Sequence, residues 1–130
     1  MVDANIIISA ILFPKSIISE TIKHIVYSNR IILSQYTIDE IKEVFNRKFP
    51  HRINEMEEYL EELPYKLFIS RGINYENYPR IRDADDLPVL AYAIESKADI
   101  FITGDKDFDE VTIEKPIIMK PKEYKNKYMK

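Results

Sequence analysis

The stretch Asp99–Phe108, Asp-Ile-Phe-Ile-Thr-Gly-Asp-Lys-Asp-Phe, constrains the fold more than any other part of the chain. Ile100, Phe101 and Ile102 form an apolar run without alternation, the pattern of a strand covered on both faces. Thr103-Gly104 follows as a turn, where glycine escapes the Cβ penalty. Asp105 and Asp107 stand directly after it. A buried strand therefore ends in carboxylates, and in open α/β sheets sites lie at the carboxyl ends of strands. Met1-Val2-Asp3 repeats the design in small, with an acid at the outset of an apolar segment.

The chain alternates helical and strand-like segments. Ile6, Ile7, Ile8, Ala10, Ile11 and Leu12 form an apolar stretch that reads either as a continued strand or as a short buried helix. Ile17/Ile18, Thr21/Ile22 and Ile25/Val26 recur every four positions after Ser16, which predicts an amphipathic helix with a serine cap. Ile31–Leu33 is a short strand. Thr37 to Glu40 reads as a capping box opening a helix with Ile38, Ile41, Val44, Phe45 and Phe49 on its buried stripe. Pro50 closes that helix. Ile53, Met56, Leu60 and Leu63 mark the next, and Leu67–Ile69 a strand. Arg71 to Arg82 is a loop. Pro88 is tolerated only in a first turn, so a helix begins close to Asp85 or Asp86. Ile117–Met119 is a last strand, and Pro121–Lys130 a basic tail. Strands alternating with helices predict an α/β fold: a parallel sheet with helices on both faces.

At 130 residues the chain reads as one domain over residues 1–130. It has no cysteine, which excludes disulfides and thiolate metal sites and fits a reducing, cytoplasmic setting. No apolar run approaches a membrane span. The net charge of -3 is unlike that of most nucleic-acid binders. A nucleic-acid role would then rest on local basic patches or on a metal that inverts the charge of an acidic site.

Four segments place carboxylates at element ends: Asp3, Glu40, Asp83/Asp85/Asp86, and Asp105/Asp107. Strand ends and the helix starts that follow them share one edge of a doubly wound sheet, so the four can converge there. Converged carboxylates raise one another's pKa and need a compensating cation. An all-oxygen donor set suits a hard ion, Mg²⁺ or Mn²⁺. Such an ion lowers the pKa of a coordinated water and neutralises charge on a phosphoryl group. Each acid also has a bland reading. Glu40 reads equally as the reciprocal half of the capping box; Asp83, Asp85 and Asp86 read as helix caps, and Asp105 and Asp107 as turn residues. Lys15, Arg47, Arg82 and Lys106 flank the acidic segments, in reach of a nucleic-acid backbone. Arg47 pairs equally well with Glu43 as an i,i+4 neighbour.

The order of these motifs carries a resemblance. Asp3-Ala4-Asn5 with Ser9-Ala10, the helix of Glu40, Asp83-Ala84-Asp85-Asp86-Leu87-Pro88-Val89-Leu90-Ala91-Tyr92-Ala93 and Thr103-Gly104-Asp105-Lys106-Asp107-Phe108 follow one another. The chain resembles the PIN domain family, in particular its toxin components of toxin–antitoxin pairs. The resemblance implies a three-layer α/β/α fold with a parallel five-stranded sheet of order 3-2-1-4-5. It implies a metal-dependent endoribonuclease that hydrolyses RNA phosphodiester bonds. By position, Asp3, Glu40, Asp86 and Asp105 would be the catalytic acids. Asp3, Asp86, Asp105 and Asp107 would hold Mg²⁺ or Mn²⁺, and Asn5, Ser9 and Thr103 would orient them. It also implies a homodimer held inactive by an antitoxin protein. The chain departs from the pattern in one respect: only Met1 and Val2 precede the first acid. That departure favours a rival reading, a non-catalytic PIN-like module that binds RNA or a partner protein.

Overall fold

The computed structural model describes residues 1–70, 72, 78 and 86–129. The helices are α1 (Ala4–Leu12), α2 (Ile17–Ser28), α3 (Gln35–Lys48), α4 (Ile53–Glu62), α5 (Leu87–Glu95) and α6 (Pro121–Tyr128). The strands are β1 (Ile31–Ser34), β2 (Tyr65–Phe68), β3 (Ile100–Ile102) and β4 (Ile117–Met119). Short 3₁₀ turns cover Pro50–Arg52 and Lys106–Phe108. Apart from Gly72 and Tyr78, the loop expected over Arg71–Arg82 lies outside the described residues, as do Asp83 and Asp85.

Strand periodicity creates the layers, because successive side chains point to opposite faces. Val2, Ile31, Leu33, Ile102 and Met119 enter one core with α1, α2, α3, α4 and Tyr124 of α6. Met1, Ile32, Phe68, Phe101 and Ile118 enter the other, with Val89, Leu90 and Ala93 of α5. Each strand feeds both cores, so helices cover both faces. No single helix among the described residues is long and apolar enough to cross a membrane.

The sheet differs from the continuous five-stranded order 3-2-1-4-5. β1 pairs with β2 in parallel, Ile31 opposite Tyr65. β3 pairs with β4 in parallel, Ile100 opposite Ile117. The N-terminal segment joins β3 by one parallel bridge, Val2 to Ile102. With that segment counted as strand one, the halves are 3-2 and 1-4-5, and the ladder is broken between them. The cause is length. Two residues before Asp3 make one bridge to β3 and, among the described residues, no ladder with β1. The Met1 α-amine donates to the Ile100 carbonyl at 2.7 Å. Burial pushes that amine down from 8.0 to about 6, against an opposing pull from Asp99.

The apolar run after Asp3 is a helix, not a continued strand, and it is buried on nearly all sides against α2, α3 and α4. Ser16 caps α2 as expected, accepting from the Ser19 amide at 3.1 Å. α5 begins after Asp86 with Pro88 in its first turn. The cap of α3 is a correction. Ser34, not Thr37, is the cap residue: its Oγ accepts from the Thr37 amide at 3.0 Å and donates to Thr37 Oγ1 at 3.0 Å. Glu40 is therefore not half of a capping box. Ser34→Ala removes a buried cap and strands the Thr37 hydroxyl, so it should cost about 1–2 kcal/mol in urea unfolding. An unchanged midpoint would refute that cap assignment. Gly104 is a second correction. Its φ is not positive, and an added Cβ would meet only Ile6 Cδ1 at 4.0 Å. The turn does not depend on glycine.

Candidate active site

The end of β3 and the end of the N-terminal segment lie side by side, because the Asp3 amide donates to the Ile102 carbonyl at 2.9 Å. That ladder bond places Asp3 next to Thr103. Thr103 Oγ1 donates to Asp3 Oδ2 at 2.8 Å, a bond buried between two buried residues. The same Oγ1 accepts from the Asp105 amide at 3.1 Å. Asp105 Oδ1 then accepts from the Asp107 amide at 2.9 Å and opens the turn Lys106–Phe108. One threonine hydroxyl thus ties the first acid to the acidic turn.

Asp86 is the cap residue of α5, but its side chain makes no cap hydrogen bond. It leans toward the β3 turn instead. Asp86, Asp105 and Asp107 each offer a carboxylate oxygen, and these oxygens lie within 4.8 Å of one another. All three residues are half-buried. Three carboxylates at that separation form a donor set for a hard divalent cation, so their chemistry fits Mg²⁺ or Mn²⁺.

Asp3 and Glu40 stand beside this group. Burial pushes Asp3 above the ordinary carboxylate range; hydrogen bonds from Thr103 and the Ala4 amide oppose the push, and Asp105 adds to it. Glu40 is half-buried on α3. Its pKa is raised first by burial, then by the charges of Asp3 and Glu43. A raised native pKa contributes stability that is complete below the unfolded values and is lost as pH rises through the native ones. In chelator, Asp3→Asn should therefore be more stable than the native chain at pH 7. That advantage should shrink as the pH falls through the raised native pKa of Asp3 and the native side chain takes up its proton. Asn keeps an oxygen to accept from Thr103. Equal midpoints at pH 7 would contradict the burial of a charged Asp3.

A family model described as PIN domain matches residues 1–107. The chain belongs to the PIN domain family. No curated protein and no solved structure matches it. As this PIN domain folds, Asp86, Asp105 and Asp107 come together, Asp3 is tied to Asp105 through Thr103, and Glu40 faces Asp3 closely enough to feel its charge.

The remaining expected residues are more dispersed. Asn5 is exposed and Ser9 half-buried on α1, and among the described residues neither side chain hydrogen-bonds to the acids. Lys15 and Lys106 are exposed. Arg47 Nε pairs with Glu43 at 3.0 Å on the solvent side of α3. Arg82 lies outside the described residues. An aromatic group went unforeseen. Tyr92 of α5 meets Tyr36 edge-on at 5.8 Å and Phe68 at 6.2 Å. These rings line a cavity of about 230 Å³ at the carboxyl ends of β1 and β2. The partnership needs strand order, which no single segment displays.

Proposed function

We propose that this PIN domain is a Mg²⁺- or Mn²⁺-dependent endoribonuclease, the toxin of a toxin–antitoxin pair. The observation that carries the reading is the convergence of Asp86, Asp105 and Asp107 within 4.8 Å, with Asp3 linked to Asp105 through one hydroxyl. When bound, the divalent ion supplies an activated water and neutralises charge on the phosphoryl oxygens. The protein's own residues do the rest. Thr103 holds Asp3 in one orientation, and the Asp105 cap fixes the turn that carries Asp107. Glu40, half-buried beside Asp3 and with its pKa raised by that burial, is suited to accept a proton at its carboxylate. Lys106, exposed between Asp105 and Asp107, is placed to attract the phosphate backbone, with Lys15, Arg82 and, once released from Glu43, Arg47 as further cations for it.

The finer reading has residues 1–130 acting as one domain in the cytoplasm, as a homodimer restrained by an antitoxin. Support for a protein partner comes from Phe13 and Ile17, apolar residues 62% and 56% exposed at the turn between α1 and α2. The test is hydrolysis of single-stranded RNA in Mn²⁺ and again in excess chelator. Cleavage that requires the ion supports the nuclease. A second reading, a non-catalytic module binding RNA or protein, draws on the single bridge that holds the N-terminal segment. RNA binding that survives chelation without any cleavage would replace the first reading with the second.

A further inference from the structure

Three rings line the cavity of about 230 Å³ at the carboxyl ends of β1 and β2. Tyr36 stands in the first turn of α3, Phe68 at the end of β2 and Tyr92 on α5. The planes of Tyr36 and Tyr92 meet at 64°, and those of Phe68 and Tyr92 at 52°, so the rings are not stacked on one another. Tyr36 is 39% exposed. Phe68 and Tyr92 are half-buried. Rings held at such angles give a flat ligand a platform to stack on.

The polar side of the cavity is one turn of α3. Gln35 Nε2 donates to Asp39 Oδ1 at 2.8 Å and steadies that carboxylate beside Tyr36. A carboxylate has about four acceptor sites, so both Asp39 oxygens keep capacity for a ligand. Among the described residues that line the cavity, Asp39 is the one charged group. An anionic rim is unsuited to a phosphate. It suits a neutral ring whose edge carries N–H donors. The volume lies below the range of about 300–1,000 Å³ for drug-sized ligands, which limits the occupant to one small ring system.

Position names the source of that ring. Tyr36 and Glu40 are i,i+4 neighbours on α3, about 6 Å apart along the helix axis. Glu40 in turn feels the charge of Asp3. Tyr92 lies on α5, whose cap residue is Asp86. The cavity is thus flanked by the two helices that carry Glu40 and Asp86 to the acidic edge. A strand with a phosphate at the acids has an adjoining base beside these rings.

We propose that this cavity seats one unstacked base of an RNA strand, a guanine, next to the phosphate at the acids. The rings take its face and Asp39 takes its edge. Of the four RNA bases, guanine alone presents two adjacent N–H donors on its Watson–Crick edge, the pattern a carboxylate accepts with both oxygens. Bases splayed from a single strand are read in this way, by stacking and by their edges. The seat rests on the nuclease reading for its strand and adds a base preference at one position.

The experiment measures binding of a short labelled oligouridine in excess chelator, where the strand is not cut. The same strand is made with one guanosine, and again with one inosine, which lacks the second donor. The native chain is expected to bind the guanosine strand about tenfold tighter than the all-uridine strand. Tyr36→Ala should weaken that binding about tenfold, the scale on which an aromatic platform holds one base, and Tyr36→Phe should restore it. Asp39→Asn should bind the guanosine and inosine strands alike. Equal binding of the guanosine and all-uridine strands by the native chain, or no binding of either, overturns the proposal. So does a guanosine preference that survives both Tyr36→Ala and Asp39→Asn. Cleavage of the same strands in Mn²⁺ separates the two readings. A guanosine preference in chelator without any cleavage keeps the seat and removes the nuclease, and cleavage without a base preference does the reverse.

Discussion

Asp105→Asn is expected to slow Mn²⁺-dependent RNA cleavage roughly 100-fold or more, the scale of losing one preorganised charge at a reacting phosphate. The substitution is chosen for what it keeps. Asparagine retains the Oδ1 that accepts from the Asp107 amide, so the turn Lys106–Phe108 stays closed. It also keeps the amide that donates to Thr103. Only the charge is lost, from a group of three carboxylates within 4.8 Å. Removing it relieves repulsion on Asp3, so the variant should fold at least as firmly as the native chain in chelator. Cleavage at the native rate by a folded Asp105→Asn protein would remove that carboxylate from the mechanism.

The second large effect is on stability. Phe101→Ala should cost about 3–5 kcal/mol in urea unfolding. Phe101 is fully buried in the middle of β3, and its ring meets Phe108 edge-on at 5.2 Å. An aromatic pair of that kind adds about 0.5–1.5 kcal/mol beyond area burial. Phe108 directly follows Asp107, so the same substitution also loosens the floor of the acidic turn. The loss is large beside a total stability of about 5–15 kcal/mol for a domain. Tyr27→Ala, at 92% exposure, is the control and should change stability by no more than about 0.5 kcal/mol. Similar losses for the two would mean that the second core, around α5, is not packed as described.

Much of this was written in the residues. The four-residue spacing after Ser16 identified α2 and its cap, because an amphipathic stripe and a serine cap are both local signals. Pro88 located the start of α5 because its ring allows few other places. Asp86, Asp105 and Asp107 were readable as one group because each stands at an element end and parallel topology gathers such ends on one edge. Other features are decided by tertiary partners. Between Ile6 and Leu12 Ser9 alone is polar, too little to give a period that separates helix from strand, and burial among α2, α3 and α4 decides for the helix. Ser34 and Thr37 are both good cap residues three positions apart, and only the end of β1 distinguishes them. The five-stranded sheet was inferred from the family pattern, whereas a first strand of two residues is too short to bridge both neighbours. Arg47 had two possible partners, and the one on its own helix holds it.

Calorimetric titration of the metal-free protein with Mn²⁺, run beside Asp105→Asn, addresses the convergence of the acids most directly. A saturable site in the native chain that weakens at least tenfold in the variant is the predicted result. No binding by the native chain, or equal binding by both, would contradict it.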